Sequence, residues 1–113
     1  MKAISVKDNG TPDTNWASLI EQGIKTIETR TWKTNYRGDL LICCSASSKS
    51  DNAGLAVCIV HLDDIVLMEK KHEKAACCKV YPRAQAWILS NLRPLARKFP
   101  VKGQLRLYEV EVD

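Results

Sequence analysis

The chain has 113 residues, 45% of them apolar, with a formal net charge of +4. That length builds one hydrophobic core, so a single domain over residues 1–113 is expected. No apolar run approaches the length of a membrane span, and the modest positive charge permits a polyanionic partner without demanding one.

Residues 2–7 alternate as Ala3, Ser5 and Lys7 against Ile4 and Val6, which predicts a first strand with no signal-peptide-like stretch. A cytoplasmic location follows as an expectation. Residues 8–13 are dense in turn formers and predict a loop. Asp13, Thr14 or Asn15 is placed to cap a short helix in which Trp16, Leu19 and Ile20 recur at helical spacing. Gly23 is placed as its left-handed C-cap. Residues 25–32 then read as a strand, and residues 40–44 as an interior strand that is apolar on both faces.

Further on, residues 45–52 are small and polar and predict a loop, and residues 55–68 a long strand bent or bulged at Asp63-Asp64. Residues 69–79 carry helix formers with a solvated charged face, and residues 85–92 a strand with Trp87 turned to the core. A helical turn is expected over residues 94–99, a tight connection over 100–103, and a final strand over 104–112. In that strand Leu105 and Leu107 share one parity and Tyr108, Val110 and Val112 the other, which predicts a bulge near Tyr108. The sum is an α+β, mainly β architecture: a curled barrel of five or six strands, a short helix after the first strand, and one or two further short helices.

Five cysteines, none at C-x-x-C spacing, read as free thiols, with Cys43, Cys44 and Cys58 acting as small hydrophobes. His61 and His72 lack partners at metal-ligand spacing, and no phosphate-loop or dinucleotide fingerprint occurs, so neither metal nor cofactor is expected.

Chemistry concentrates in Gly23-Ile24-Lys25-Thr26-Ile27-Glu28-Thr29-Arg30-Thr31-Trp32. Strand parity sets Glu28, Arg30 and Trp32 on one face and Ile27 and Thr29 on the other. A carboxylate, a guanidinium and an indole side by side are costly against a core unless they pair or meet a ligand. Lys25 shares parity with Ile27 in a regular strand, yet its long stem can reach a cleft from the rim. Tyr36-Arg37-Gly38 follows, and residues 25–49 hold Lys25, Arg30, Lys33, Arg37 and Lys49 against Glu28 and Asp39.

Trp16-Ala17-Ser18-Leu19-Ile20, the pattern Gly23-x-Lys25-x-x-Glu28-x-Arg30-x-Trp32, and Tyr36-Arg37-Gly38 before an apolar strand ending at Ser45 together resemble the ASCH domain. Trp87-Ile88-Leu89 and Pro100-Val101-Lys102-Gly103 resemble its late strand and following turn. The resemblance implies a PUA-like pseudobarrel with a cleft beside the first helix, along which Lys25, Glu28 and Arg30 lie. It also implies binding of RNA or other nucleic acid. A bacterial branch similar in fold hydrolyses acetylated cytidine, with a lysine matching Lys25 assisting a threonine nucleophile. Here Glu28 occupies the threonine position, and it cannot supply the same alkoxide. That branch also uses a downstream glutamate, and Glu69 and Glu73 lie in the corresponding region.

The leading expectation is a nucleic-acid-binding module for RNA or a modified nucleotide or nucleoside. Arg30, Lys33, Arg37 and Lys49 would meet phosphates, and Trp32 or Tyr36 would stack a base. Glu28 would accept from an amine or orient Arg30, with Lys25, Ser45 and Trp16 completing the site. The alternative is a small hydrolase of a modified nucleoside, or a ribonuclease, with Lys25 and Glu28 as catalytic groups. A protein partner docking on residues 69–79 is a third reading.

Overall fold

The computed structural model describes residues 1–112. Its elements are β1 (Lys2–Val6), α1 (Trp16–Glu21), β2 (Ile27–Arg30), β3 (Gly38–Cys44), β4 (Leu55–Leu67), a 3-10 turn (Lys70–His72), α2 (Glu73–Ala76), β5 (Gln85–Pro100) and β6 (Tyr108–Glu109). The strands form one sheet in the order β2-β5-β4-β3-β1-β6, with β1 parallel to β3 and every other pair antiparallel.

The sheet curls without closing, so the expected barrel is an open pseudobarrel. Both edges of β1 are already used, one by β3 and the other by β6 through Lys2 opposite Glu109 and Ala3 opposite Tyr108. β2 therefore has no ladder partner on β1. A side chain spans the gap instead: Arg30 Nη2 donates to the Ser5 carbonyl at 2.6 Å.

β3 lies at the centre, as its two-sided apolar sequence predicts. Leu40, Ile42 and Cys44 join Ile4, Val6, Ile20, Val60, Leu62 and Trp87 in the main core, whereas Leu41 and Cys43 pack with Ala3, Ala56 and Tyr108 on the other face. Trp87 is fully buried, edge-on to Trp32 with ring centroids 4.9 Å apart, and its Nε1 donates to the Trp32 carbonyl at 3.3 Å. β4 is bulged at Leu62/Asp64, where Asp63-Asp64 interrupts the apolar pattern.

Three expectations change. Residues 94–99 are strand, because β4 pairs with them and β2 covers only Gln85–Ile88 on the other side. Pro94 lacks an amide hydrogen, and the outer edge of β5 does not require one there. The last strand shrinks to Tyr108–Glu109, with residues 101–107 forming an irregular strap. The helical segment at 69–79 shrinks to the 3-10 turn and α2, and Cys77 ends it in the left-handed region at φ 57°.

α1 ends as its sequence predicts. Gly23, at φ +78°, donates to the Ile20 carbonyl, and Ile24 donates to that of Leu19, both at 3.0 Å. Its start is capped from elsewhere. The Asn15 side chain accepts from the Gly10 amide, while the Ser18 amide is satisfied by Asp8 Oδ1 at 3.0 Å. Among the described residues no helix is long and apolar enough to cross a membrane.

Candidate functional site

The tight exit from α1 holds the Lys25 amide on the Leu19 carbonyl at 3.1 Å, outside the β2 ladder, so strand parity does not govern the lysine. Lys25 turns inward and is 2% exposed. Its Nζ donates to the Ala76 carbonyl at the end of α2 and lies 3.6 Å from Glu28 Oε1. Glu28, 6% exposed, accepts the Thr29 amide on Oε1 at 2.9 Å and Arg30 Nη2 on Oε2 at 3.0 Å. Two cations thus face one anion, and the row keeps one net positive charge in a partly dehydrated setting.

The polar row borders an open cavity of about 540 Å³ in the seam that β2 and β1 leave unclosed. β1 and its end supply Ser5, Val6 and Lys7; α1 supplies Trp16; β2 supplies Glu28, Thr29 and Arg30. Lys25, Ser45, Cys78 and Tyr81 complete the wall. Two nitrogens of cavity-lining residues, Trp16 Nε1 and Arg30 Nε, are buried and have no hydrogen-bond partner among the described residues.

Of the residues singled out from sequence, Trp16, Lys25, Glu28, Arg30 and Ser45 converge on this cavity. Trp32 stands just outside it, packed on Trp87 beneath the Arg106 guanidinium. Tyr36 donates to the Asp39 carbonyl at 2.6 Å and packs against the core. Arg37 donates to the Thr34 and Tyr36 carbonyls and faces Asp64 at 3.6 Å. Lys33 and Lys49 are exposed, and Lys49 lies over Gly10. Glu69 and Glu73 serve backbone amides of their own segment and do not line the cavity.

Sequence reading missed Lys7, Thr29, Cys78 and Tyr81. Tyr81 Oη donates to Thr29 Oγ1 at 3.0 Å, a contact between residues far apart in the chain that no local motif announces. It also missed Asp8, read as a loop residue yet fully buried. The Asp8 carboxylate accepts from the Ser18 amide and hydroxyl and from the Ser50 hydroxyl at 2.6 Å. Burial raises its pKa, but the Ser18 and Ser50 hydroxyls and the Ser18 and Ala17 amides outweigh that and hold it below the ordinary carboxylate value. This clasp ties the start of α1, hence Trp16, to the loop after Ser45, on two sides of the cavity.

An open, curled sheet with a short helix beside a polar seam cavity defines a PUA-like domain. The ASCH domain model matches residues 13–99, and the chain belongs to the ASCH domain family, whose fold is associated with RNA binding. Human (Homo sapiens) activating signal cointegrator 1 is 23% identical over 121 residues, a match covering 85% of this chain and 21% of that protein. The chain thus spans about a fifth of that relative's length. The ASCH protein of Zymomonas mobilis superposes with a TM-score of 0.70 at 15% identity, covering 97% of this chain and 87% of its own. A tyrosine-to-phenylalanine variant of that protein gives 0.66 at 15% identity, covering 97% and 89%. At such identity the likeness shows the fold.

Proposed function

We propose that the seam cavity receives one nucleotide of an RNA, and that the domain is a nucleic-acid-binding module. The carrying observation is an open cavity lined by Ser5, Lys7, Trp16, Arg30 and Ser45 whose Lys25–Glu28–Arg30 row has one cation in excess. Base carbonyls and phosphate oxygens are the acceptors such a wall suits. Arg30 and Lys7 meet a phosphate, Ser45 offers a hydroxyl, and Glu28 holds Arg30 in place. Lys33 and Lys49 add long-range attraction from the surface.

The hydrolytic alternative draws less support. Lys25 Nζ is committed to the Ala76 carbonyl and Glu28, and both Glu28 oxygens already accept hydrogen bonds.

Fluorescence anisotropy with labelled single-stranded RNA tests the proposal. About three phosphate contacts on a single strand predict roughly a twentyfold loss of affinity when salt is raised fourfold. Absent binding, or binding indifferent to salt, refutes it.

A further inference from the structure

We infer that Trp32 and Arg106 form a second stacking step beside the cavity, so that the ligand is a single-stranded RNA segment of at least two nucleotides rather than a free nucleoside. This rests on the reading of the cavity given above and extends it by one residue of the strand.

Trp32 follows the cavity-lining Arg30 by two residues, so their Cα atoms are at most about 7 Å apart, within reach of adjoining nucleotides. Its indole is partly exposed and is steadied edge-on by the fully buried Trp87, at an interplanar angle of 82°. The Arg106 guanidinium lies over the ring, 5.1 Å from its centroid. Arg106 is exposed, and among the described residues its side chain makes no hydrogen bond or ion pair, so the indole is its one assigned contact. The arginine keeps its charge and its planar donors available.

The strap carrying Arg106 runs past the cavity. A Cβ built on Gly103 would lie 3.0 Å from the hydroxyl of Ser5, which lines the cavity. The strap is pinned at its ends, by the Val101 amide on the Gly54 carbonyl at 2.9 Å and by Leu107 against the main core. Between those pins Lys102, Gly103, Gln104, Leu105 and Arg106 are exposed, with Leu105 at 93%. Residues 101–107 contain Lys102 and Arg106 and no acidic residue. Arg106 adopts φ +58°, a left-handed conformation uncommon outside glycine, and such outliers gather where a side chain must be aimed.

A guanidinium resting on an indole is a stack into which a base fits. The arginine need retreat only by about one base thickness, roughly 3.4 Å, and can then cover the base from the far side. The exposed middle of the strap permits that movement. A base with its 5′ or 3′ neighbour in the cavity would thus lie between Trp32 and Arg106, its phosphate near Arg30.

Calorimetric titration of the full chain with the four nucleoside 3′-monophosphates and the matching 3′-phosphorylated homodinucleotides tests this. Stacking of the second base predicts that at least one dinucleotide binds about tenfold tighter than its mononucleotide. Arg106→Ala should bring that ratio to about one, and Arg106→Lys, which keeps charge but not the planar face, should restore only a minor part. Since Arg106 is exposed, thermal melting should show both variants folded. Equal affinities in the wild type, or a ratio that survives Arg106→Ala, overturn the inference while leaving one-nucleotide binding standing. No binding of either probe overturns the cavity reading and this inference with it.

Discussion

Replacing Asp8 by alanine removes the acceptor of three donors: the Ser18 amide at 3.0 Å, the Ser50 hydroxyl at 2.6 Å and the Ser18 hydroxyl. Hydrogen bonds to a charged group contribute about 1.5–3 kcal/mol each. They do not add in full, because the freed hydroxyls can turn to other acceptors and because deleting the carboxylate also removes the cost of burying it. A net loss of about 3 kcal/mol is expected, most of it from the unpaired amide at the start of α1 and the opened contact with the loop beyond Ser45. With a urea slope near 1–1.5 kcal/mol/M, the midpoint should fall by roughly 2–3 M, followed by tryptophan fluorescence. Asp8→Asn keeps an oxygen for the Ser18 amide and should cost about half as much. The acid limb supplies a second readout. The folded carboxyl is held below its ordinary 3.8, so its stabilisation is complete above that value and is lost as pH falls through the lower folded value. Asp8→Asn should flatten the pH dependence in that window. A loss under about 1 kcal/mol for alanine, or an acid limb unchanged in the asparagine variant, would refute the reasoning.

Glu28→Ala strands the Lys25 ammonium in a nearly sealed position and should destabilise by about 3–5 kcal/mol in urea titration. The paired replacement Lys25→Met with Glu28→Leu should regain most of that stability while RNA affinity in the anisotropy assay stays lost. Trp87→Ala should cost about 3–5 kcal/mol by thermal denaturation, from the emptied core volume and the Trp32 carbonyl it leaves unpaired. Burial pushes the Cys43 and Cys44 thiols up and Cys58 to about 12, whereas Cys77 and Cys78 are partly exposed. An aromatic disulfide reagent at pH 8 should therefore titrate Cys77 and Cys78 rapidly in the native protein, and all five cysteines only after unfolding.

Legibility in the sequence followed the range of the interaction. The α1 terminus was readable because Gly23 and its two hydrogen bonds are local, and β3 because five consecutive apolar residues announce burial on both faces. Residues 94–99 were misread because Pro94 is equally at home at a helix start and on an unpaired strand edge, and only β4 decides between them. For Lys25, strand parity points away from Glu28 while its place just after the helix cap lets the stem reach the cleft, and the second holds because the residue lies outside the ladder. Asp8 looked like a turn residue because its partners, Ser18 and Ser50, are ten and forty-two positions away.

Sequence order alone determined the Glu28–Arg30 pair, which strand parity puts on one face, and set Lys25 within reach of it, whereas the lysine's inward turn is held by the distant Ala76 carbonyl. The cavity they border was decided by tertiary structure. It exists because β6 takes the β1 edge that β2 would need, and because α1, the end of β3 and the segment around Tyr81 wall the resulting seam. Those contacts span most of the chain, and neither hydrophobic periodicity nor local propensity carries information about which distant edge a strand will find occupied.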